Sequence, residues 1–112
     1  MASKYRNRKT VIDGITFDSK KEARRYSELK LLKKAGHIKN LELQPSFVLV
    51  DGYVNGTGKK IRPMIYKADF RYYDVMGKCE VVEDVKGVRT EVYKLKKKLF
   101  EERYAPLTIT EV

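Results

Sequence analysis

The chain has little of what disulfide scaffolds and most hydrolases rely on. A single cysteine, Cys79, excludes a disulfide framework and any CxxC or Cys/His zinc site. A single histidine, His37, means that a Ser-His-Asp or Cys-His mechanism would rest on that one residue. No stretch adjoins either of them to a run of acids, so both read as structural or surface residues. Internal repeats and low-complexity segments are also missing. The longest apolar run, Phe47 to Val50, falls far short of the roughly 20 residues of a membrane span. No charged leader precedes an apolar segment, so secretion is not expected. These absences predict a soluble domain of a reducing compartment with no membrane partner.

What the sequence has is positive charge. Lys and Arg total 25 against 15 Asp and Glu, a formal 25 − 15 = +10, with a pI near 9.7. A domain this basic is built to meet a polyanion rather than a neutral metabolite. Its 112 residues, 42% of them apolar, suffice for one domain that buries roughly 65% of its unfolded surface. The expected organisation is a flexible basic arm over residues 1–10 and a single domain over 11–112. The arm carries Lys4, Arg6, Arg8 and Lys9 around Tyr5, and reads either as a solvated tail or as a segment that follows phosphates.

Val11 to Phe17 reads as a short hairpin with Asp13-Gly14 at its turn. Ser19 and Glu22 form an S-x-x-E capping box opening a helix that runs to about Ala35, stopped by Gly36. Its inward stripe is Ala23, Tyr26, Leu29 and Leu32, with Glu22 and Arg25 along the edge. From Ile38 the period becomes strand-like, in an extended run broken at Pro45 and reaching Val54. A turn or flexible loop at Asn55–Gly58 follows. Ile65 to Tyr73 and Cys79 to Val85 are two further strands joined by a turn at Asp74–Gly77. Thr90 is the expected N-cap of a second helix, Glu91 to about Arg103, burying Val92, Leu95 and Leu99 and ending before Pro106. Leu107 to Val112 closes the chain as a strand, most simply parallel to the Val81 strand. The fold class expected is α/β (α+β), a mixed sheet with helices on both sides.

Strand alternation puts Ile65, Lys67, Asp69 and Arg71 on one face and Tyr66, Ala68, Phe70 and Tyr72 on a core face. On the next strand Val82, Asp84 and Lys86 share a face opposite Val81, Glu83 and Val85. If the turn is centred between Met76 and Gly77, Asp69 lies across from Asp84, with Cβ atoms about 5 Å apart. Two carboxylates at that distance suit a hard divalent cation, Mg2+ or Mn2+. Lys86 would point at the same spot from roughly 7 Å along the strand. The competing register, with a bulge at Gly77, pairs Asp69 with Glu83 instead. The first register gathers two acids and a lysine but strands Glu83 on the apolar face at an unexplained cost. The plain reading of Asp84 and Lys86 is an exposed surface pair.

Tyr66-Lys67-Ala68-Asp69-Phe70 followed by Val81-Val82-Glu83-Asp84-Val85-Lys86-Gly87 resembles the signature of the PD-(D/E)XK nuclease superfamily. The nearer likeness is to a small phage-encoded branch similar to transposon-end endonucleases and Holliday-junction resolvases. Phe17-Asp18-Ser19-Lys20-Lys21-Glu22-Ala23 and Leu41-Glu42-Leu43-Gln44-Pro45 share it, so the resemblance covers Lys4 to Tyr104. Ala68 stands where the name-giving proline would be. The resemblance implies a restriction-endonuclease-like fold and a Mg2+- or Mn2+-dependent endodeoxyribonuclease acting on branched or duplex DNA in phage recombination or replication. It implies Asp69 and Asp84 as metal ligands, Lys86 as the catalytic lysine, and Glu22 as the helical glutamate that approaches the metal. A capping-box glutamate needs no catalytic role, so these two readings of Glu22 compete. Gln44 is placed near the site. A phage origin would put the protein in a bacterial host's cytoplasm.

Candidate DNA contacts are Arg89, Lys94 and Lys98 along the second helix, Lys59 and Lys60 in the loop, and Lys4, Arg6, Arg8 and Lys9 in the arm. The eight tyrosines lie mostly at structural positions rather than on a stacking platform. A homodimer is expected from the symmetry of duplex and four-way substrates. The readings from other classes are a non-catalytic DNA-binding protein that keeps the nuclease fold and a basic protein-interaction module.

Overall fold

A computed structural model describes residues 9–85 and 89–112. The basic arm's Lys4, Arg6 and Arg8 and the lysine Lys86 lie outside the described residues. The chain opens with a hairpin of β1 (Thr10–Ile12) and β2 (Ile15–Phe17). Asp13 and Gly14 both hold positive φ, 54° and 76°, the left-handed pair that a tight two-residue hairpin requires. Helix α1 (Lys20–Lys34) follows, its first turn capped by the Ser19 hydroxyl, which accepts from the Glu22 amide at 3.1 Å. Ala23, Tyr26 and Leu29 are buried and Leu32 half-buried, the expected stripe.

Four strands make the main sheet: β3 (Ile38–Leu43), β8 (Phe70–Asp74), β9 (Cys79–Asp84) and β10 (Ile109–Glu111). Their spatial order is β10-β9-β8-β3. The first three in sequence are antiparallel, and β10 returns parallel to β9, so the sheet is mixed and the class is α+β. Helix α2 (Glu91–Arg103), capped by Thr90, makes the crossover. Phe70, Tyr72, Val81 and Val85 pack with α1, whereas Val82 and Ile109 pack with α2, so the helices cover opposite faces.

Between β3 and β8 the chain leaves the main sheet as a two-stranded ribbon. Its lower part pairs β4 (Ser46–Val50) with β7 (Met64–Lys67), and its upper part pairs β5 (Tyr53–Val54) with β6 (Lys60–Ile61). The expected single strand over Ile65–Tyr73 is therefore two strands, broken at Ala68-Asp69. Tyr66 and Ala68 join the α2 core and Phe70 and Tyr72 the α1 core, a division that unbroken alternation cannot produce. Likewise the extended run from Ile38 to Val54 is divided among three sheets, as β3, β4 and β5.

Helix α2 differs from its expected rotation. Val92 and Leu95 are more than half exposed, Leu99 is half-buried, and the buried residues are Tyr93 and Phe100. The larger aromatic surfaces decide the rotation: Phe100 meets the Phe47 ring edge-on, centroids 4.8 Å apart, and stacks with Tyr104 at 5.2 Å.

Candidate functional site

The site is set by register. Phe70 pairs with Glu83 and Asp74 with Cys79, so partners across β8 and β9 sum to 153 and the bulged alternative is excluded. Asp69 lies one residue past the last ladder pair, at the end of the sheet opposite Asp84. Three backbone bonds pin it there. The Asp69 amide donates to the Glu83 carbonyl at 3.0 Å, and the Gln44 amide donates to the Asp69 carbonyl at 2.9 Å. Next to it the Ala68 amide donates to the Pro45 carbonyl at 3.1 Å. The Gln44-Pro45 corner, with Gln44 at φ +50°, thus turns the chain into the ribbon and fixes Asp69.

Asp69 is where acids from two faces meet. The Val85 amide donates to its Oδ2 at 2.6 Å. Glu22, reaching across from α1, and Asp84, from β9, both come within hydrogen-bonding reach of its carboxyl group. Burial, followed by the Glu22 carboxylate beside it, pushes the Asp69 carboxyl up to about 7, against the opposing pull of the Val85 N–H. Asp84 is 3% exposed and accepts a short hydrogen bond from the Tyr66 hydroxyl. Burial and that carboxylate in turn raise the Tyr66 hydroxyl far above its ordinary value. A cleft of about 190 Å³ opens onto Glu22, Gln44, Asp69 and Thr16. Ser19 makes its half of the capping box by accepting from the Glu22 amide, while the Glu22 carboxylate lies against Asp69. Among the described residues no group of three or more His, Cys, Asp or Glu stands ready to hold a metal ion. The three acids are joined pairwise through Asp69.

Glu83, whose place on the apolar face had no explanation, is 1% exposed and fully engaged. Arg25 clamps it through both oxygens, Nε to Oε1 at 2.8 Å and an Nη to Oε2 at 2.6 Å, and the Tyr72 hydroxyl adds a short bond. The Glu83 bond raises the Arg25 guanidinium further above its ordinary value. The sequence placed Arg25 on the edge of the first helix and left Glu83 on the apolar face without a partner. Opposite charges misplaced on facing elements were the signal that would have joined them. Tyr66 as the partner of Asp84 had no such signal, because its core position was explanation enough.

The candidate DNA contacts divide. Arg89 pairs with Glu111 at 2.8 Å and Lys94 with Glu91 at 3.3 Å. Lys9, Lys59, Lys60 and Lys98 are exposed. His37 and Cys79 are exposed as well, away from the acids. No helix among the described residues is long and apolar enough to cross a membrane.

Residues 2–112 match the family described as a protein of unknown function, DUF1064. The chain belongs to that family. No curated protein and no solved structure matches it. What DUF1064 membership adds is extent: the match runs through the hairpin, both helices, the ribbon and all three acids, so the site lies within the family's shared length.

Proposed function

We propose that this DUF1064 protein is a divalent-metal-dependent DNA endonuclease of the PD-(D/E)XK kind. The observation that carries the reading is Asp69 meeting Glu22 on one side and Asp84 on the other, with the Asp69 carboxyl pushed up to about 7. Acids set against one another in a cleft, with one proton held above its ordinary value, are what a catalytic or cation site requires. The donor set fits a hard cation. Mg2+ is commonly held by one or two carboxylates, its remaining positions filled by water and substrate phosphate, so Asp69 and Asp84 suffice. The Val85 amide and the Tyr66 hydroxyl each fix one carboxylate oxygen, which orients the pair. A bound Mg2+ or Mn2+ would supply Lewis-acid polarisation of a phosphate oxygen and an acidified water. Glu22 adds a third carboxylate beside Asp69, and Lys86, two residues beyond Asp84, is the candidate to orient water or neutralise developing charge. The net charge of +10 favours the polyanionic substrate.

The test is cleavage of four-way, flap and linear DNAs with Mg2+ or with EDTA, comparing wild type, Asp84→Asn and Lys86→Ala. Cleavage that needs metal and is lost in both variants supports the reading. DNA binding with no cleavage under any of these conditions makes the protein a binding module that keeps the fold.

A further inference from the structure

The ribbon has no partner over its upper half, and its charge is of one sign. Residues 51–67 contain Lys59, Lys60, Arg62 and Lys67 against one acid, Asp51. Asp51 is already paired, with Arg103 at 3.0 Å. Among the described residues none of the four ribbon cations has an ion-pair partner. Arg89 before α2 and Lys94 and Lys97 within it each lie within 4 Å of an acid, at 2.8, 3.3 and 3.8 Å, whereas Lys96 and Lys98 have no such partner among the described residues. Cations without an ion-pair partner among the described residues also lie on α1 (Lys20, Arg24, Lys33 and Lys34), but the ribbon sets four of them against a single, already paired acid within residues 51–67.

The ribbon is also built to hold its shape. The Asn55 amide donates to the Lys59 carbonyl at 2.9 Å, closing a three-residue loop in which Gly58 takes φ +84°. The Asn55 side-chain oxygen accepts from the Thr57 amide, the Thr57 hydroxyl and the Lys59 amide. Gly52 marks the joint between the two halves. A Cβ there would lie 3.1 Å from the Ile61 carbonyl oxygen and 3.2 Å from the Pro63 ring. At the base, Phe47, Leu49 and Tyr66 enter the core, and the Tyr104 hydroxyl donates to the Val48 carbonyl at 2.8 Å. From that base β7 leads through Ala68 directly to Asp69. Tyr53 and Val54, 55% and 62% exposed, put one apolar side chain on each face of the upper half, Tyr53 across from Ile61 and Val54 across from Lys60.

We propose that the ribbon over residues 46–67 is a rigid finger that docks into a groove of duplex DNA, away from the acidic site. A two-stranded ribbon fits a major groove of about 12 Å width. Lys59, Lys60 and Arg62 meet the flanking phosphates, and Val54, beside Lys60 across the ladder, faces sugars and thymine methyl groups. Lys60 stands seven residues beyond Lys67, roughly 23 Å at 3.3 Å per residue. At about 3.4 Å of helix per base pair that reach is roughly seven base pairs. This offset from the cleaved phosphate, unlike the docking itself, rests on the nuclease reading.

Binding is measured in EDTA, where nothing is cut, by fluorescence anisotropy on 8- and 30-base-pair duplexes across a salt series. The comparison is wild type, the triple variant Lys59→Ala/Lys60→Ala/Arg62→Ala, and a control that removes three cations elsewhere, Lys20→Ala/Lys33→Ala/Lys34→Ala. The expected result is a loss of at least about tenfold on the long duplex for the ribbon variant, with a salt slope shallower by about 2–3. The control loses clearly less, and Lys59→Arg/Lys60→Arg keeps wild-type affinity. Equal losses in the ribbon variant and the control, unchanged affinity, or equal binding of single strands would overturn the proposal. So would wild type that binds no duplex at low salt. Ribbon-dependent binding without any cleavage sinks the nuclease reading and leaves the finger standing. Normal cleavage with ribbon-independent binding does the reverse.

Discussion

Two neighbouring residues of β9 show how differently one strand can bury an acid. Glu83 points to the α1 face and is met by a bidentate guanidinium and a tyrosine hydroxyl, so its charge is matched inside the fold. Asp84 points to the other face, takes the Tyr66 hydroxyl, and shares its end of the sheet with Asp69 and, through it, Glu22. The first arrangement is complete and structural. In the second, acid is packed on acid and the Asp69 proton is held to about pH 7, an arrangement that a cation would relieve. The lesson is that burial alone does not tell how an acid is held; the sign of its neighbours does.

Removing the cation from the matched side should give the largest effect. Arg25→Ala leaves Glu83 buried and without its guanidinium, and should destabilise the fold by about 3 kcal/mol or more in urea unfolding. A loss below about 1 kcal/mol would mean that the two acids are not so different. On the other side, Asp84→Asn should leave stability within about 1 kcal/mol of wild type while lowering metal-dependent DNA cleavage at least about 100-fold, or about 2.7 kcal/mol of barrier. A variant that cuts normally would remove Asp84 from the chemistry.

The pH dependence sharpens the contrast. The folded Asp69 carboxyl titrates at about 7 against 3.8 when unperturbed, so the folded state holds its proton more tightly. That contribution to stability is fully present below about pH 4 and is lost as pH rises through about 7. With its partial exposure discounted, the change is on the order of 1–2 kcal/mol. Asp69→Asn should flatten it, leaving the variant more stable than wild type at pH 8 in metal-free buffer. A profile identical to wild type would contradict the shift. The smallest expected effect separates the two roles of the α1 N-terminus. Ser19→Ala should cost about 1 kcal/mol through the lost cap. Glu22→Gln should cost little stability but lower the Asp69 midpoint, read by following its carboxyl carbon with NMR.

Much of this was legible in the residues. Asp13-Gly14, Ser19 and Thr90 announce their turn and caps because each is a local event decided by a few neighbouring atoms. The pairing of β8 with β9 was legible from strand alternation, whereas the register that brings Asp69 to Asp84 was one of two the turn allowed and is settled by the ladder. The break at Ala68-Asp69 was hidden because it is fixed from outside the strand, by the Gln44 and Pro45 backbone. The rotation of α2 was hidden too: Leu95 and Leu99 fit an apolar stripe, and only the packing of Phe47 and Tyr104 around Phe100 selects the aromatic one. Long-range ion pairs such as Arg25 with Glu83, 58 residues apart, leave no periodic trace.

The central claim is that the acids around Asp69 form a cation site, and titration calorimetry with Mn2+ at pH 7 tests it most directly. Wild type should bind with a heat that varies with the ionisation enthalpy of the buffer, because metal displaces the Asp69 proton, and Asp69→Asn/Asp84→Asn should not bind. Equal binding by the double variant, or none by wild type, would contradict it.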